Sequence, residues 1–116
     1  MRWEIKYYPP SGERYSPKDF IQSITNPGEV NIIGRRLETI SQLETYEWPT
    51  KWIKSIEGIY QLTAGDHRLY FDLDGNRIII VCYVCRKVRQ KALKSDLVHA
   101  KNNLANYYKL KESESK

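Results

Sequence analysis

Alternating hydrophobic and polar residues mark the strand-like parts of the chain. Residues 2–8 alternate and are rich in aromatic side chains, which predicts a first β-strand. Three further strand-like runs cover residues 58–64, 67–73 and 77–85, and the last is apolar along most of its length. Gly65-Asp66 and Asp74-Gly75-Asn76 separate these runs and are typical of tight hairpin turns. The three runs should therefore form an antiparallel meander.

Apolar residues at helical spacing mark three other segments. Ser16 followed by Pro17 is typical of a helix start, and Asn-Pro-Gly at 26–28 should end this short first helix. A second helix is predicted from about residue 29 to 44, its apolar side formed by Val30, Ile33, Leu37 and Ile40. A last helix is predicted from about residue 94 to 109, its apolar stripe formed by Leu93, Leu97, Ala100, Leu104 and Tyr107. The first two helices should form a helical hairpin.

The order of these elements predicts an α+β fold. It consists of an N-terminal strand, a helical hairpin, a three-stranded antiparallel meander and a C-terminal helix, with residues 47–52 irregular. A chain of 116 residues is of ordinary size for one domain. We expect a single domain over residues 1–110, followed by a polar tail at 111–116 that frays.

The charge of the chain is concentrated in its last third. The net charge is +5, and Asp96 is the only acidic residue between Arg77 and Lys111, a span that holds nine Lys and Arg residues. A field of one sign attracts polyanions such as RNA, although a solvated basic face is the simpler interpretation of a charge run by itself. No segment approaches the roughly 18 apolar residues of a spanning helix, and the N-terminus lacks a signal-peptide pattern. We therefore expect a cytoplasmic protein with no membrane partner.

The two cysteines, Cys82 and Cys85, have the spacing of a redox or metal-binding pair but lie inside a predicted buried strand. Residues three apart in a strand point to opposite faces and lie roughly 10 Å apart, which is too far for a disulfide. A zinc site needs four ligands, and His67 and His99 are the only histidines. Two buried core thiols are the better interpretation, with no metal.

Several short motifs follow one another between Lys54 and Tyr107. Lys54 precedes a short loop and Gly58, and Gly65 and Arg68 form a Gly-x-x-Arg turn followed by an aromatic residue. A basic run at 86–91 (Arg-Lys-Val-Arg-Gln-Lys) and a closing helical segment at 97–107 follow. This set resembles the RelE/HigB superfamily of bacterial toxins, in particular its phage-derived HigB-like branch.

The resemblance implies a type II toxin that cuts mRNA on the ribosome until an antitoxin, usually a helix-turn-helix protein, binds it. The first two helices are a plausible docking surface for that partner. Cleavage of RNA through its 2′-OH without a metal or other cofactor needs cations that stabilise the phosphorane. The resemblance assigns this role to Lys54, Arg68, Arg86 and Lys87. The RNA-binding residues it suggests are Tyr70, Arg89, Lys91 and Lys94.

The position of Arg68 within its strand predicts a side chain that leaves the core, with Tyr70 on the same face and able to stack on a base. A surface cation paired with Asp66 or Asp72 is the alternative for Arg68. His67 should be a partly buried structural residue, His99 should face solvent, and Tyr107 should pack in the core. Trp48, Trp52 and Tyr60 could line an RNA-stacking rim or cover the core, and we favour the core for at least one tryptophan.

Three departures from the family pattern weaken the catalytic inference more than the fold inference. Gln61-Leu62-Thr63 replaces Glu-Leu-Arg, the run at 86–92 lacks the family's Thr and Pro, and Asn103 replaces a basic residue. No general base is evident. Two other functions therefore stay open: a ParE-like inhibitor of DNA gyrase, which shares the fold, and an RNA-binding protein of the toxin fold with weak or lost catalysis.

Overall fold

A computed structural model describes residues 2–75, 77–88 and 94–114. The helices are α1 (Pro17–Ser23), α2 (Pro27–Gln42) and α3 (Lys94–Glu114), with a short 3-10 turn at Thr45–Glu47. The strands are β1 (Glu4–Tyr7), β2 (Ile53–Ile56), β3 (Ile59–Ala64), β4 (His67–Asp74) and β5 (Ile78–Arg86). The predicted α+β class is confirmed.

The strands form one mixed sheet in the order β1-β5-β4-β3-β2. The pairings β2–β3, β3–β4 and β4–β5 are antiparallel. The pairing of β1 with β5 is parallel, with Glu4 opposite Ile78 and Tyr7 opposite Val81. The predicted three-stranded meander is therefore part of a larger sheet. The helical hairpin lies in the crossover that separates β1 from the meander in sequence.

Strand β2 is the element that the sequence pattern missed. Its four residues pair with β3 from Ile53 opposite Leu62 to Ile56 opposite Ile59. Glu57 and Gly58 connect the two strands with φ angles of 50° and 85°. Positive φ at both central residues matches the two-residue turn preferred by hairpins. Glutamate is not among the residues typical of such a turn, and the sequence pattern therefore predicts no strand over residues 53–56.

The helical hairpin covers one side of the sheet, which we call the hairpin face. Ser16 caps α1, and Asn26 caps α2 by accepting from the backbone N–H groups of Gly28 and Glu29. The predicted apolar side of α2 is confirmed for Ile33, Leu37 and Ile40, which are buried. They pack on sheet residues that point to the same side: Leu62, Ala64, Leu69, Phe71, Ile79, Val81 and Val84. This is the larger apolar core.

Helix α3 covers the opposite side, which we call the α3 face. Leu97 and Ala100 are buried there, and Leu104 packs against them. Their sheet partners are mostly aromatic or contain sulfur: Ile59, Tyr70, Cys82, Tyr83 and Cys85. The helix continues to Glu114, through most of the segment expected to fray. Lys111 in its last turns is held by Asp74, with the ammonium nitrogen 2.6 Å from Oδ1.

A β-bulge interrupts the pairing of β4 with β5. Tyr70 lies opposite Tyr83 and Phe71 lies opposite Val81, so Cys82 is an extra residue without an opposite neighbour. The carbonyl of Cys82 accepts a hydrogen bond of 2.8 Å from Nδ2 of the buried Asn103. The bulge places Cys82 and Cys85 on the same face, which corrects the expectation of opposite faces based on a regular strand. The prediction of two buried free thiols is confirmed.

Among the described residues, no helix combines the length and the apolar character required to cross a membrane.

Candidate functional site

A cationic cleft lies where the ends of β3, β4 and β5 meet the chain that enters β2. It has a volume of about 230 Å³. Its charged lining consists of Lys51, Lys54, Arg68 and Lys87. Its polar lining consists of Thr50, Gln61 and Thr63, and Trp52 and Ile53 complete the wall. The structure therefore brings together three of the four cations that the resemblance assigned to catalysis.

Strand pairing explains why these residues meet. Lys54 lies opposite Gln61, and Thr63 lies opposite Arg68. Directly paired residues share a face of the sheet, so all four side chains project toward the α3 face. Lys87 follows the end of β5, and its backbone N–H donates to the carbonyl of Asp66. Lys54 and Arg68 thus stand on paired strands, which hold charges more firmly than loops do, whereas Lys51 and Lys87 lie in the adjoining chain.

The charge of the cleft is of one sign among the residues that the structure describes. No Asp or Glu is among the lining residues. Within residues 2–75, 77–88 and 94–114, Lys51, Lys54 and Lys87 form no salt bridge with a carboxylate. Lys51 and Lys54 are exposed, and Lys87 is half-buried. Ammonium groups in this situation attract an anion from solution.

Arg68 lies at the base of the cleft. Its exposed fraction is 2%, so the expectation of a side chain that leaves the core is wrong. Arg68 lies on β4, the central strand of the sheet, and is enclosed, whereas Lys54 projects to the same side from the edge strand β2 and is exposed. The guanidinium still borders the cleft, where it can add positive charge from below.

Tyr70 is also enclosed by α3 and is fully buried. Its hydroxyl donates a hydrogen bond of 3.2 Å to Oε1 of Gln61. Burial raises the pKa of the Tyr70 phenol, which stays protonated at neutral pH. Because Tyr70 has no exposed ring surface, it cannot stack on an RNA base in this conformation. Its role in this structure is structural instead of the RNA-binding role expected for it. It supports Gln61 in the cleft wall.

Arg86 is separated from the other predicted catalytic cations. It lies opposite His67, on the hairpin face, and borders a second cleft of about 390 Å³. We call this the histidine cleft, and its other lining residues are Phe20, Ser23, Ile24, Thr25, Asn26, Glu29, Asp66 and His67. Arg86 and Lys87 are adjacent in sequence but point into clefts on opposite sides of the sheet.

Glu29 and His67 are joined in the histidine cleft. Oε1 of Glu29 lies 2.9 Å from Nδ1 of His67 and accepts a 2.7 Å hydrogen bond from the backbone N–H of Asp66. The Asp66 bond, and to a lesser extent His67 and Arg86, lower the pKa of the Glu29 carboxyl. At Gly65, where φ is +60°, a Cβ would lie 2.6 Å from Oε2 of Glu29. Glycine at this turn therefore allows the carboxylate to approach.

His67 is 7% exposed, and its ring packs edge-on against Phe20 at 5.9 Å. The prediction of a partly buried histidine on the hairpin face is confirmed. His99 differs from its prediction, because its ring lies 4.4 Å from that of Tyr15 and 5.7 Å from that of Tyr83. It is half-buried between these rings and does not simply face solvent.

Of the other predicted RNA-binding residues, Lys94 lines neither cleft. Lys94 is exposed at the start of α3, near enough to Glu57 to lower the pKa of that carboxyl, although Lys101 has the larger effect. Arg89 and Lys91 lie outside the described residues.

The aromatic residues divide between core and cleft. Trp48 is buried, and its Nε1 donates to the carbonyl of Ile40, which confirms the core interpretation for one tryptophan. Trp52 is half-buried, and the guanidinium carbon of Arg36 lies 4.6 Å from its ring centroid. Tyr107 is half-buried rather than fully packed, and its hydroxyl donates to Asp74.

Sequence reasoning missed Thr50, Gln61 and Thr63 as cleft residues. Gln61 and Thr63 had been noted only as departures from the family pattern, at the positions of its Glu and Arg. The pairing of Gln61 with Lys54 depends on β2, a strand that the sequence pattern did not reveal. The pairing of Thr63 with Arg68 belongs to the predicted hairpin of β3 and β4, but the pattern did not show that a cleft forms beside it.

No protein-family model and no curated protein matches this chain at a significant level.

Proposed function

We propose that the protein is a RelE/HigB-type toxin that binds mRNA in the cationic cleft and cleaves it on the ribosome. The observation that carries the proposal is the convergence of Lys51, Lys54, Arg68 and Lys87 in one cleft with no carboxylate among its described lining residues. This arrangement suits a phosphodiester backbone, because each phosphate carries one negative charge and recognition requires cations held in fixed positions.

The chemistry expected of such a toxin needs no metal. The RNA 2′-oxygen attacks the adjacent phosphorus, and lysine or arginine stabilises the negative charge that develops on the phosphoryl oxygens. Among the described residues, no group of three or more His, Cys, Asp or Glu side chains could hold a metal ion. The enzyme would act in the cytoplasm and would be held inactive by a helix-turn-helix antitoxin.

RNA binding without cleavage is the second candidate. It is favoured by the composition of the cationic cleft, whose described lining contains no histidine and no carboxylate to accept a proton. A ParE-like action on gyrase has no specific support from either cleft and enters only as an outcome of the test.

The test is mapping of RNA 5′ ends after a short induced pulse of the wild-type protein. The Lys54→Ala/Lys87→Ala variant removes two cleft cations and, unlike a change at the enclosed Arg68, leaves the core intact. Lys18→Ala/Lys109→Ala removes the same charge from exposed positions on α1 and α3, outside both clefts. We expect new 5′ ends within translated frames for the wild type and the control, and their loss in the cleft variant.

Purified protein separates binding from cleavage. Losing two phosphate contacts should reduce the slope of log Kobs against log salt for single-stranded RNA by about 1.4 in the cleft variant. RNA binding with this salt dependence but without new 5′ ends would favour the binding-only candidate. Growth arrest without RNA binding or cleavage would refute both the nuclease and the RNA-binding candidates. It would favour inhibition of DNA gyrase.

A further inference from the structure

We propose that the histidine cleft supplies the general base for RNA cleavage, with His67 accepting the 2′-hydroxyl proton and Glu29 orienting its ring. This inference rests on the proposed nuclease function and names the group that the cationic cleft lacks. Arg86, on the same face, would stabilise the phosphate at the cut bond. The phosphates that follow would lie in the cationic cleft.

The hydrogen bond between Glu29 and His67 determines which ring nitrogen is available. Glu29 is ionised at neutral pH because its pKa is lowered, and an ionised carboxylate only accepts hydrogen bonds. Nδ1 of His67, 2.9 Å from Oε1, must therefore carry the proton. In the neutral ring Nε2 then holds the free lone pair. A carboxylate that fixes a histidine tautomer in this way is a recurrent device for proton abstraction.

Nε2 is the ring nitrogen that Glu29 does not engage, and it is not fully enclosed. His67 lines the histidine cleft, and within the described residues Nε2 forms no hydrogen bond and is not among the buried polar atoms that lack one. The groups around the ring come from four places. Glu29 lies on α2, Asp66 on the β3–β4 turn and Arg86 on β5, whereas α1 contributes the uncharged Phe20 and Ser23.

Arg86 and Lys87 connect the two clefts. Since consecutive residues at the end of β5 point to opposite sides, a strand of RNA that passes over this end of the sheet meets Arg86 on one side and Lys87 on the other. A guanidinium can bind two phosphate oxygens at once. It therefore suits the phosphate of the cut bond, where negative charge develops during cleavage, better than an ammonium group does. The ammonium groups of the cationic cleft suit flanking phosphates.

The reaction balances with these groups. Nε2 of His67 takes the 2′-OH proton while the 2′ oxygen forms a bond to phosphorus. The bond from phosphorus to the 5′ oxygen breaks, and solvent water protonates the departing oxygen. The products are a 2′,3′-cyclic phosphate and a 5′-hydroxyl end, and His67 returns its proton to solvent.

Two substitutions at one position separate proton transfer from structural support. His67→Asn places an amide N–H near the position of Nδ1, so it can keep the bond to Glu29 while removing Nε2. His67→Gln places its amide nearer to Nε2 and gives up the bond to Glu29. His99→Asn is the matched control, because His99 is the only other histidine and lines neither cleft.

The measurement is single-turnover cleavage of a defined mRNA on programmed ribosomes, with RNA binding measured in parallel. We expect His67→Asn to slow cleavage by about 100-fold or more, the ordinary contribution of a general base, with binding unchanged. His67→Gln should be equally slow, and His99→Asn should cleave at the wild-type rate. Added imidazole should restore cleavage to His67→Gly and leave the wild type unaffected.

Cleavage by His67→Asn at the wild-type rate would overturn the inference and leave the nuclease proposal standing. A His67→Gly variant that folds, as judged by its circular dichroism spectrum, but is not rescued by imidazole would also count against a proton-transfer role. Absence of cleavage by the wild type would instead defeat the proposed function, on which this inference depends.

Discussion

The two faces of the sheet are held by different kinds of interaction. The hairpin face buries aliphatic and aromatic side chains around Phe71, Leu69 and Ile40. The α3 face buries hydroxyl, amide, thiol and guanidinium groups, among them those of Tyr70, Gln61 and Asn103. Apolar contacts are non-directional and tolerate repacking, whereas buried polar groups depend on particular partners. Lys54 and Arg68, two cations of the cationic cleft, lie on the face whose geometry is more strictly specified.

Substitutions at the neighbouring residues Phe71 and Tyr70, which point to opposite faces, should show the largest difference in stability between the two faces. Phe71 is fully buried and packs against Trp48 and Tyr60, with ring centroids 5.7 and 5.2 Å away. Phe71→Ala should lower the free energy of unfolding by about 3–5 kcal/mol. Tyr70→Phe keeps the ring and removes only the bond to Gln61, so its loss should be about 1 kcal/mol. Urea unfolding measures both, and equal losses would contradict the contrast.

Asn103 tests the directional character of the α3 face. Its side chain donates to the carbonyl of Cys82 at the bulge, where no residue of β4 lies opposite. Asn103→Ala should cost about 1–3 kcal/mol, because a buried carbonyl is left without its donor. Ala105→Gly, at an exposed position of the same helix, should cost only about 1 kcal/mol through helix propensity. A smaller effect at Asn103 than at Ala105 would show that the bulge does not need this donor.

The α+β class and much of the core were readable from the sequence, whereas β2, the parallel pairing of β1 with β5 and part of the site were not. Periodicity in α2 and the apolar run of β5 placed Ile33, Leu37 and Ile40 against the sheet. Arg68 and Tyr70 were assigned to the correct face, but that face was expected to be open. A single strand pattern shows which residues share a side and does not show whether a distant helix covers that side. Glu29 meets His67 through a contact 38 residues apart in sequence, for which no local signal exists.

The thiols of the α3 face should be unreactive in the folded protein. Burial is the main cause that raises the pKa of both Cys82 and Cys85 to about 12, so neither forms a thiolate near neutral pH. At pH 8 a disulfide reagent should modify Cys82 and Cys85 of the native protein only as fast as the protein unfolds. In urea, the same reagent should modify both thiols immediately. Rapid modification of either thiol without urea would indicate that α3 opens readily.

The smallest expected effect concerns the pH dependence contributed by Glu29. Its pKa is lowered on folding, chiefly by the Asp66 N–H, so the stability it adds is complete above the ordinary carboxyl pKa. That stability is lost as the pH falls through the lower folded pKa. Glu29→Gln should therefore be less stable than the wild type at pH 7, and the difference should shrink toward pH 3. A difference that is constant with pH would show that the charge of Glu29 is not involved.

The bulge at Cys82 has a consequence for how this chain is aligned with others. Strand β5 contains two stretches that are out of phase by one residue, and Cys82 marks the change of phase. A relative with a straight strand here would contain one residue fewer, and its alignment would need a gap at this cysteine. Without that gap, a side chain directed to one side of the sheet would be matched with its neighbour on the other. Arg86 would then be matched with the residue that corresponds to Lys87, on the other side of the sheet.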